Sequence, residues 1–338
     1  MRRIRIAQIG VNRYSHSAEI FNTLKSLPEI FDLVGYALVE DEKQTCAGKI
    51  KKHFSDFTEL TLDEILNDET IEAVVIETDE IHLTKYAKLA LKHGKHVHME
   101  KPGSQNIREF EELISCAREN AKTFHIGYMY RYNPYISDVI NRAKAGELGK
   151  IYSVEAHMSR SVSKALREWL STFKGGMMFF LGCHLVDLVM QIQGVPSEVI
   201  PMNTVTGLDG VGAEDLGFAV LKYPDAVSVV RTGGSEIGGF DRRQLVVCGS
   251  KATVEIRPLE VLVSDKDRRY MISTEKSECF LDELGKTKKI NDKTLPFQRY
   301  ETMLCAYAEM VRGEKQNPYT LDYELELFRV IMKCCGAE

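Results

Sequence analysis

Hydrophobic positions along the chain follow two rhythms. Up to about residue 128, short apolar runs alternate with stretches of helical period. Residues 3–9 alternate and are rich in Ile, and residues 71–76 (IEAVVI) are almost continuously apolar, as a strand covered on both faces must be. Strands are likewise expected at 31–39, 95–99 and 123–128. Helices are expected at 18–27, 61–67, 81–93 (with Gly94 as its C-cap) and 107–120. Strand and helix in regular alternation mean a doubly wound parallel sheet.

From Ile151 the rhythm changes. IYSVEAHMSR, SEVIPMNTVTG, DLGFAVLKYP, AVSVVRTGG, RRQLVVCGS and ATVEIRP read as strands in succession, with one helix near 184–192. Successive strands imply an antiparallel sheet in a second domain. Residues 262–296 are charged and irregular and are placed only as strands and loops; helices at 298–312 and 321–334 close the chain. The fold class is therefore α/β: an N-terminal Rossmann-type doubly wound sheet over 1–128, then an α+β domain over 129–338 with a large, open, mostly antiparallel sheet.

Composition narrows the function classes. Charged residues make up 28% and the net charge is −5, which excludes a basic field for nucleic acid or an anionic membrane. No apolar run approaches the roughly 18 residues of a membrane span. The opening MRRIRIAQIG reads as a first strand and not as a signal peptide. Eight Cys without a CxxC spacing fit free thiols in a reducing cytoplasm.

Candidate chemistry sits at strand ends. Gly10 closes the first strand and is followed by Val11-Asn12-Arg13-Tyr14-Ser15-His16 before a helix, the setting of a dinucleotide-binding turn. Only the first glycine of G-x-G-x-x-G is present; Asn12 and Ser15 stand at the other two positions. An Asn12 side chain would occupy space near a phosphate or donate to it. Glu40, at the end of the second strand, can accept hydrogen bonds from a ribose and repel a 2′-phosphate. Glu100-Lys101-Pro102 follows a short strand, and in a parallel sheet ligands bind at such carboxyl ends; Pro102 restricts Lys101. His93, His96 and His98 lack an acid or Cys to complete a metal set, so no metal is expected. Tyr128 and Arg131 belong to an aromatic and Arg run, 128–134, facing the same crevice. Gly175-Gly176 precedes an apolar helix carrying His184 and Asp187, whose spacing of three puts both on one face. His is suited to proton transfer near neutral pH.

In order and spacing, the turn at 10–16, the Thr78 strand end, Glu100-Lys101-Pro102, the 131–134 segment and Gly175-Gly176…His184-x-x-Asp187 resemble the glucose–fructose oxidoreductase/inositol dehydrogenase (Gfo/Idh/MocA) family over nearly the whole chain. The resemblance implies NAD or NADP, with NAD favoured through Glu40, and reversible oxidation of a sugar, cyclitol or similar polyol. Cofactor contacts are then expected at Gly10, Asn12, Arg13, Tyr14, Glu40, Thr78, His82, Glu100 and Lys101. Substrate contacts are expected at Lys101, Tyr128, Arg131, Arg160, Trp169, His184 and Asp187. Lys101 would share the proton of the reacting hydroxyl, with His184 as base or relay. Phe180 occupies the position, one turn before His184, where the family often carries Asp. Two other readings follow from these departures: a non-catalytic dinucleotide or ligand binder, and an NAD-dependent redox-assisted glycosidase or lyase. A homodimer or homotetramer is expected, built on one face of the open sheet.

Overall fold

A computed structural model describes residues 2–263 and 271–337. They divide into two compact units, Met1–Tyr128 with Tyr300–Leu325, and Met129–Arg299 with Glu326–Glu338. The segment 300–325, read from the sequence as part of the second domain, thus belongs with the first.

In the first unit β1 (Ile4–Ile9), β2 (Phe31–Ala37), β3 (Glu59–Leu60), β4 (Ala73–Ile76), β5 (His96–Met99) and β6 (Phe124–Ile126) form one parallel sheet, in the order β3-β2-β1-β4-β5-β6. The order reverses between β1 and β4, and the crevice beyond their carboxyl ends is where such sheets hold ligands. Ala73, Val74, Val75 and Ile76 have no exposed surface, because both faces of the sheet are covered. The two-residue β3 carries no periodic signal and escapes a pattern reading.

Local chemistry explains the elements between. Thr61 and Glu64 form a reciprocal capping box at the start of helix Leu62–Asn67. Asn106 caps Ile107–Asn120 through Arg108 and Glu109. Helix Glu301–Val311 buries Met303, Leu304, Tyr307 and Ala308. Its Tyr307 ring stacks on His125 of β6, with centroids 5.7 Å apart. That apolar stripe is why the returning helix is held by the first sheet.

The second unit is built on β7 (Ile151–Ser159), β8 (Glu198–Pro201), β9 (Leu216–Tyr223), β10 (Ala226–Gly233), β11 (Gln244–Gly249), β12 (Ala252–Ile256), β15 (Glu275–Leu281) and β16 (Thr287–Lys293). Their order is β16-β15-β12-β11-β7-β10-β9-β8, antiparallel except for the β7/β10 pair. Along β9, Gly217, Ala219 and Leu221 are buried while Phe218 and Val220 stay half-exposed, the alternation of a sheet with one covered face. Three short strands, β13 (Val261–Val263), β14 (Met271–Ser273) and β17 (Phe297–Gln298), form a separate small sheet. Of the irregular 262–296 segment, 264–270 lie outside the described residues. Among the described residues no helix is long and apolar enough to cross a membrane.

Candidate functional site

In the first unit the turn after β1 is shaped by packing. Gly10 has φ +92°, and a Cβ there would meet the Thr78 backbone nitrogen at 2.6 Å, so only glycine lets the ends of β1 and β4 pass this closely. Asn12 is buried. Its Nδ2 donates to Thr78 O (3.1 Å) and Glu80 Oε2 (2.9 Å), and its Oδ1 accepts from the N–H groups of Tyr14 (2.7 Å) and Ser15 (2.9 Å). The side chain expected beside a phosphate instead faces inward and ties the turn to β4. Lys49 Nζ holds the other side of the turn through Asn12 O (2.6 Å) and Ser15 O (3.2 Å). Helix Ser17–Lys25 follows with no side-chain cap on its first N–H groups. Arg13 is exposed beside it, its guanidinium carbon 5.2 Å from the Tyr14 ring centre. A collision-free glycine turn, an uncapped helix start and an exposed Arg fit a bound pyrophosphate.

Glu40 has φ +51° and accepts from Lys85 Nζ (2.6 Å) and Tyr86 Oη (2.7 Å), with His82 Nδ1 at 3.8 Å. The bond from Lys85, followed by that from Tyr86, lowers its carboxyl below the ordinary value. Its place after β2 fits an adenosine ribose.

Four buried acids gather near these strand ends: Glu42, Glu77, Glu80 and Glu100. Neither oxygen of Glu77 has a hydrogen-bond partner among the described residues, and burial, then the charge of Glu100, raises its carboxyl well above the ordinary range. Burial likewise pushes Glu80 up to about 8, against the opposing charge of Lys101, and Glu42 to about 7. Lys101 itself is buried, its Nζ 3.5 Å from Glu100 Oε1. Thr78 and Tyr128 are also buried, and His82 is half-exposed.

The strand histidines have structural partners. His96 Nδ1 accepts from Thr123 N (3.1 Å) and His98 Nδ1 lies 2.7 Å from His125 Nδ1. Burial lowers His96 to about 4 and His98 to about 3, so both are neutral at pH 7. Among the described residues no group of three potential metal ligands converges.

In the second unit the glycine pair is a close crossing. A Cβ on Gly175 would lie 2.5 Å from the Cys335 Cβ, and one on Gly176 would lie 2.3 Å from Glu214 O. The chain then makes a π-helical turn, Met178–Gly182, before helix Cys183–Gln193, which carries His184. Phe180 points into an aromatic group, its ring 5.4 Å from Trp169, which in turn meets Phe173 at 4.7 Å. Trp169 is thereby a packing partner of the position where an acid was expected. Asp187 is buried and accepts from Arg131 Nη2 (2.8 Å) and Nε (3.0 Å) and from Gln191 (2.9 Å). This bidentate pair fixes the segment after Tyr128 to the His184 helix.

The His184 ring meets the edge of Tyr130, with centroids 5.2 Å apart. Tyr130 Oη donates to Glu260 Oε1 (2.7 Å), which also takes Arg243 Nη1 (2.5 Å) and Arg299 Nη2 (2.7 Å). Burial pushes the Tyr130 hydroxyl up to about 12. Tyr130 could have been found in the aromatic run at 128–134. Glu260, Arg243 and Arg299 carry no motif and reach it across more than 100 residues. Arg160 is exposed at the end of β7.

The two units have the organisation of a dinucleotide-binding domain joined to an open-sheet domain, the class to which two-domain oxidoreductases belong. A model of an oxidoreductase family with an NAD-binding Rossmann fold matches residues 4–128, and one of the GFO/IDH/MocA C-terminal domain matches 138–255. The chain belongs to the Gfo/Idh/MocA oxidoreductase family. It is similar to the uncharacterized oxidoreductase YhhX of Escherichia coli, 28% identical over 57% of this chain and 54% of that protein. It is also similar to the scyllo-inositol 2-dehydrogenase (NADP+) IolW of Bacillus subtilis, 22% identical over 69% of this chain and 64% of that one. The match spans little more than half the length of such curated relatives. Among solved structures, the aldose-aldose oxidoreductase of Caulobacter crescentus has the same fold, with a TM-score of 0.77 at 19% identity, covering 99% of this chain and 97% of that one.

Proposed function

We propose that this chain is an NAD(P)-dependent dehydrogenase acting on a hydroxyl of a sugar, cyclitol or similar polyol. The observation that carries the reading is Lys101: a lysine 2% exposed at the carboxyl end of a parallel strand, beside a buried carboxylate. Burying an ammonium is costly, and a ligand hydroxyl oxygen that accepts a hydrogen bond from it offsets part of that cost. A bound nicotinamide supplies the hydride acceptor. Lys101 holds the reacting oxygen and shares its proton; the family resemblance gives His184 the part of base or relay. Gly10, Arg13, Tyr14 and the first turn of helix Ser17–Lys25 hold the pyrophosphate; Thr78, His82 and Glu100 line the same crevice. Asn12 supports it from behind. Glu40 favours NAD by accepting from the ribose, while the inositol activity named for the B. subtilis relative supports the substrate class. Half-exposed Phe218, Val220 and Val229 on the open sheet face support a homodimer or homotetramer.

Calorimetric titration with NAD+ and with NADP+ is the first test, followed by absorbance of the reduced cofactor across a polyol panel. Failure of both dinucleotides to bind at millimolar concentration rejects the reading. A second reading, a binder without turnover, is favoured by Phe180 lying in an aromatic group; it expects binding with no reduction on any polyol.

A further inference from the structure

Two histidines lie side by side in the interior of the first unit. His98 and His125 sit opposite each other on β5 and β6, neither more than 1% exposed. Tyr307 of helix Glu301–Val311 covers both, its ring centre 5.6 Å from that of His98 and 5.7 Å from that of His125. The two Nδ1 atoms are 2.7 Å apart and share one hydrogen, so one ring donates and the other accepts. Burial keeps His98 neutral, with a single N–H to place. Its Nε2 has no hydrogen-bond partner among the described residues. A buried polar atom in that condition costs free energy unless a water or a ligand pairs with it.

Gly127, just past β6, lies next to that nitrogen, and its N–H donates to Met99 O (2.8 Å). A Cβ on Gly127 would meet Glu100 Oε2 at 3.2 Å, His98 Nε2 at 3.5 Å and Met99 O at 3.5 Å as its three nearest atoms. All three are polar, the number of partners that suits one buried water. The φ of Gly127 is not in the left-handed region, so its backbone does not demand glycine. The hydrogen side chain instead keeps the space between these polar atoms open. The other oxygen of Glu100, Oε1, lies 3.5 Å from Lys101 Nζ. We propose that one ordered water in the cradle of Gly127 bridges His98 Nε2 and Glu100 Oε2, and that the histidine pair thereby positions the carboxylate facing Lys101. Glu100 Oε2 and Met99 O are acceptors, so the water gives them its two hydrogens and takes one from His98. His98 then carries its hydrogen on Nε2, and His125 donates from its Nδ1 to His98 Nδ1. His98 is a positioning residue, acting through Glu100 on Lys101. That role rests on the polyol-dehydrogenase reading; the water bridge does not.

The experiment uses the full chain, and its first readings need no turnover. A crystal structure should hold a water within about 3.2 Å of both His98 Nε2 and Glu100 Oε2. Nitrogen NMR spectra of the imidazoles at neutral pH should show hydrogen on Nε2 of His98 and on Nδ1 of His125. Three variants follow. His98→Asn keeps an amide near the Nδ1 position and loses the Nε2 donor, and Gly127→Ala puts a methyl in the cradle. His98→Gln returns an N–H near the Nε2 position and gives up the bond to His125. The Asn and Ala variants should lose the water and shift the Glu100 carboxylate away from Lys101. Their turnover should fall about tenfold, as loss of one hydrogen bond to a charged group allows, and by more than NAD+ affinity does. His98→Gln should recover most of that loss, whereas a purely structural pair predicts the reverse order of the two histidine variants. The opposite tautomer at His98, no ordered water in the cradle, or a Gln variant slower than the Asn one overturns the proposal. A water bridge whose loss moves Glu100, in a protein that reduces no cofactor on any polyol, upholds the bridge and rejects the dehydrogenase reading, so the two failures are distinguishable.

Discussion

Buried carboxyls behave in opposite ways in the two units. In the first, Glu42 and Glu80 are pushed up to about 7 and 8, and Glu77 is raised too, because burial outweighs what opposes it, including the charge of Lys101 on Glu80 and of Lys49 on Glu77. In the second, burial also acts to raise Glu260, but Arg299 and Arg243 outweigh it and the carboxyl ends below its ordinary value. Equal burial thus gives a protonated group in one place and an anion in the other; the partners decide which. The first unit presents a nearly neutral, desolvated crevice that suits a reactive lysine and a dinucleotide. The second presents a buried carboxylate kept ionised by the guanidiniums that bind it.

The largest effect should come from Lys101→Ala. Turnover is expected to fall by about 10²–10⁴-fold, the usual contribution of a positioned proton-transfer group, with an unchanged circular dichroism spectrum. A variant as fast as the parent would remove the neutral crevice from the chemistry altogether. Next is Asp187→Ala, which leaves Arg131 buried without its carboxylate. A loss of about 3–5 kcal/mol is expected from urea unfolding, and a change below about 1 kcal/mol would mean that the pair is solvated.

Asn12→Ala removes an amide that serves four hydrogen bonds within the first turn. A loss of about 1–3 kcal/mol is expected, with weaker dinucleotide binding as the turn loosens. Should binding tighten instead, the inward amide is an obstacle to the cofactor and not its support.

Stability against pH probes the first unit directly. His96 and His98 are lowered from 6.5 to about 4 and 3, so below pH 6.5 the unfolded chain takes up protons that the folded one refuses. Stability therefore falls as pH drops from 6.5 towards 3. Glu42 and Glu80 stay protonated in the fold above 4.5, where the unfolded chain ionises, so their contribution falls as pH rises from 4.5 to 7 and 8. Each group changes stability by at most about 1.4 kcal/mol per pH unit. Between 4.5 and 6.5 the two sets oppose each other. Urea midpoints should therefore peak near the middle of that window and decline on both sides; a steady rise up to pH 8 would contradict the protonated glutamates.

The smallest effect belongs to Glu40→Ala. Its surface pairing with Lys85 should contribute no more than about 1 kcal/mol, while the ratio of NAD+ to NADP+ affinity should drop. An unchanged ratio would place the ribose elsewhere.

Much of the fold was legible because burial imposes a period. The continuous apolar run at 71–76 could only be a strand covered on both faces, and β4 is one. The succession of strands after residue 151 likewise announced a mostly antiparallel sheet, and the second unit is built on one. Helix Glu301–Val311 was visible as a helix, but its allegiance was not, since an amphipathic stripe says that a face is buried without naming what buries it. At the candidate site, Gly10, Lys101 and His184 stood out through their places at strand ends and on a helix face.

By itself the sequence determined the succession of elements, the glycine turn and the strand-end lysine, since these depend on neighbours within a few residues. Tertiary structure alone decided that Asn12 turns inward, that Asp187 belongs to Arg131, and that Glu260 collects two arginines and a tyrosine. Such pairings join residues tens to more than a hundred positions apart. Their strength comes from desolvation and geometry, which exist only once the chain has closed around them.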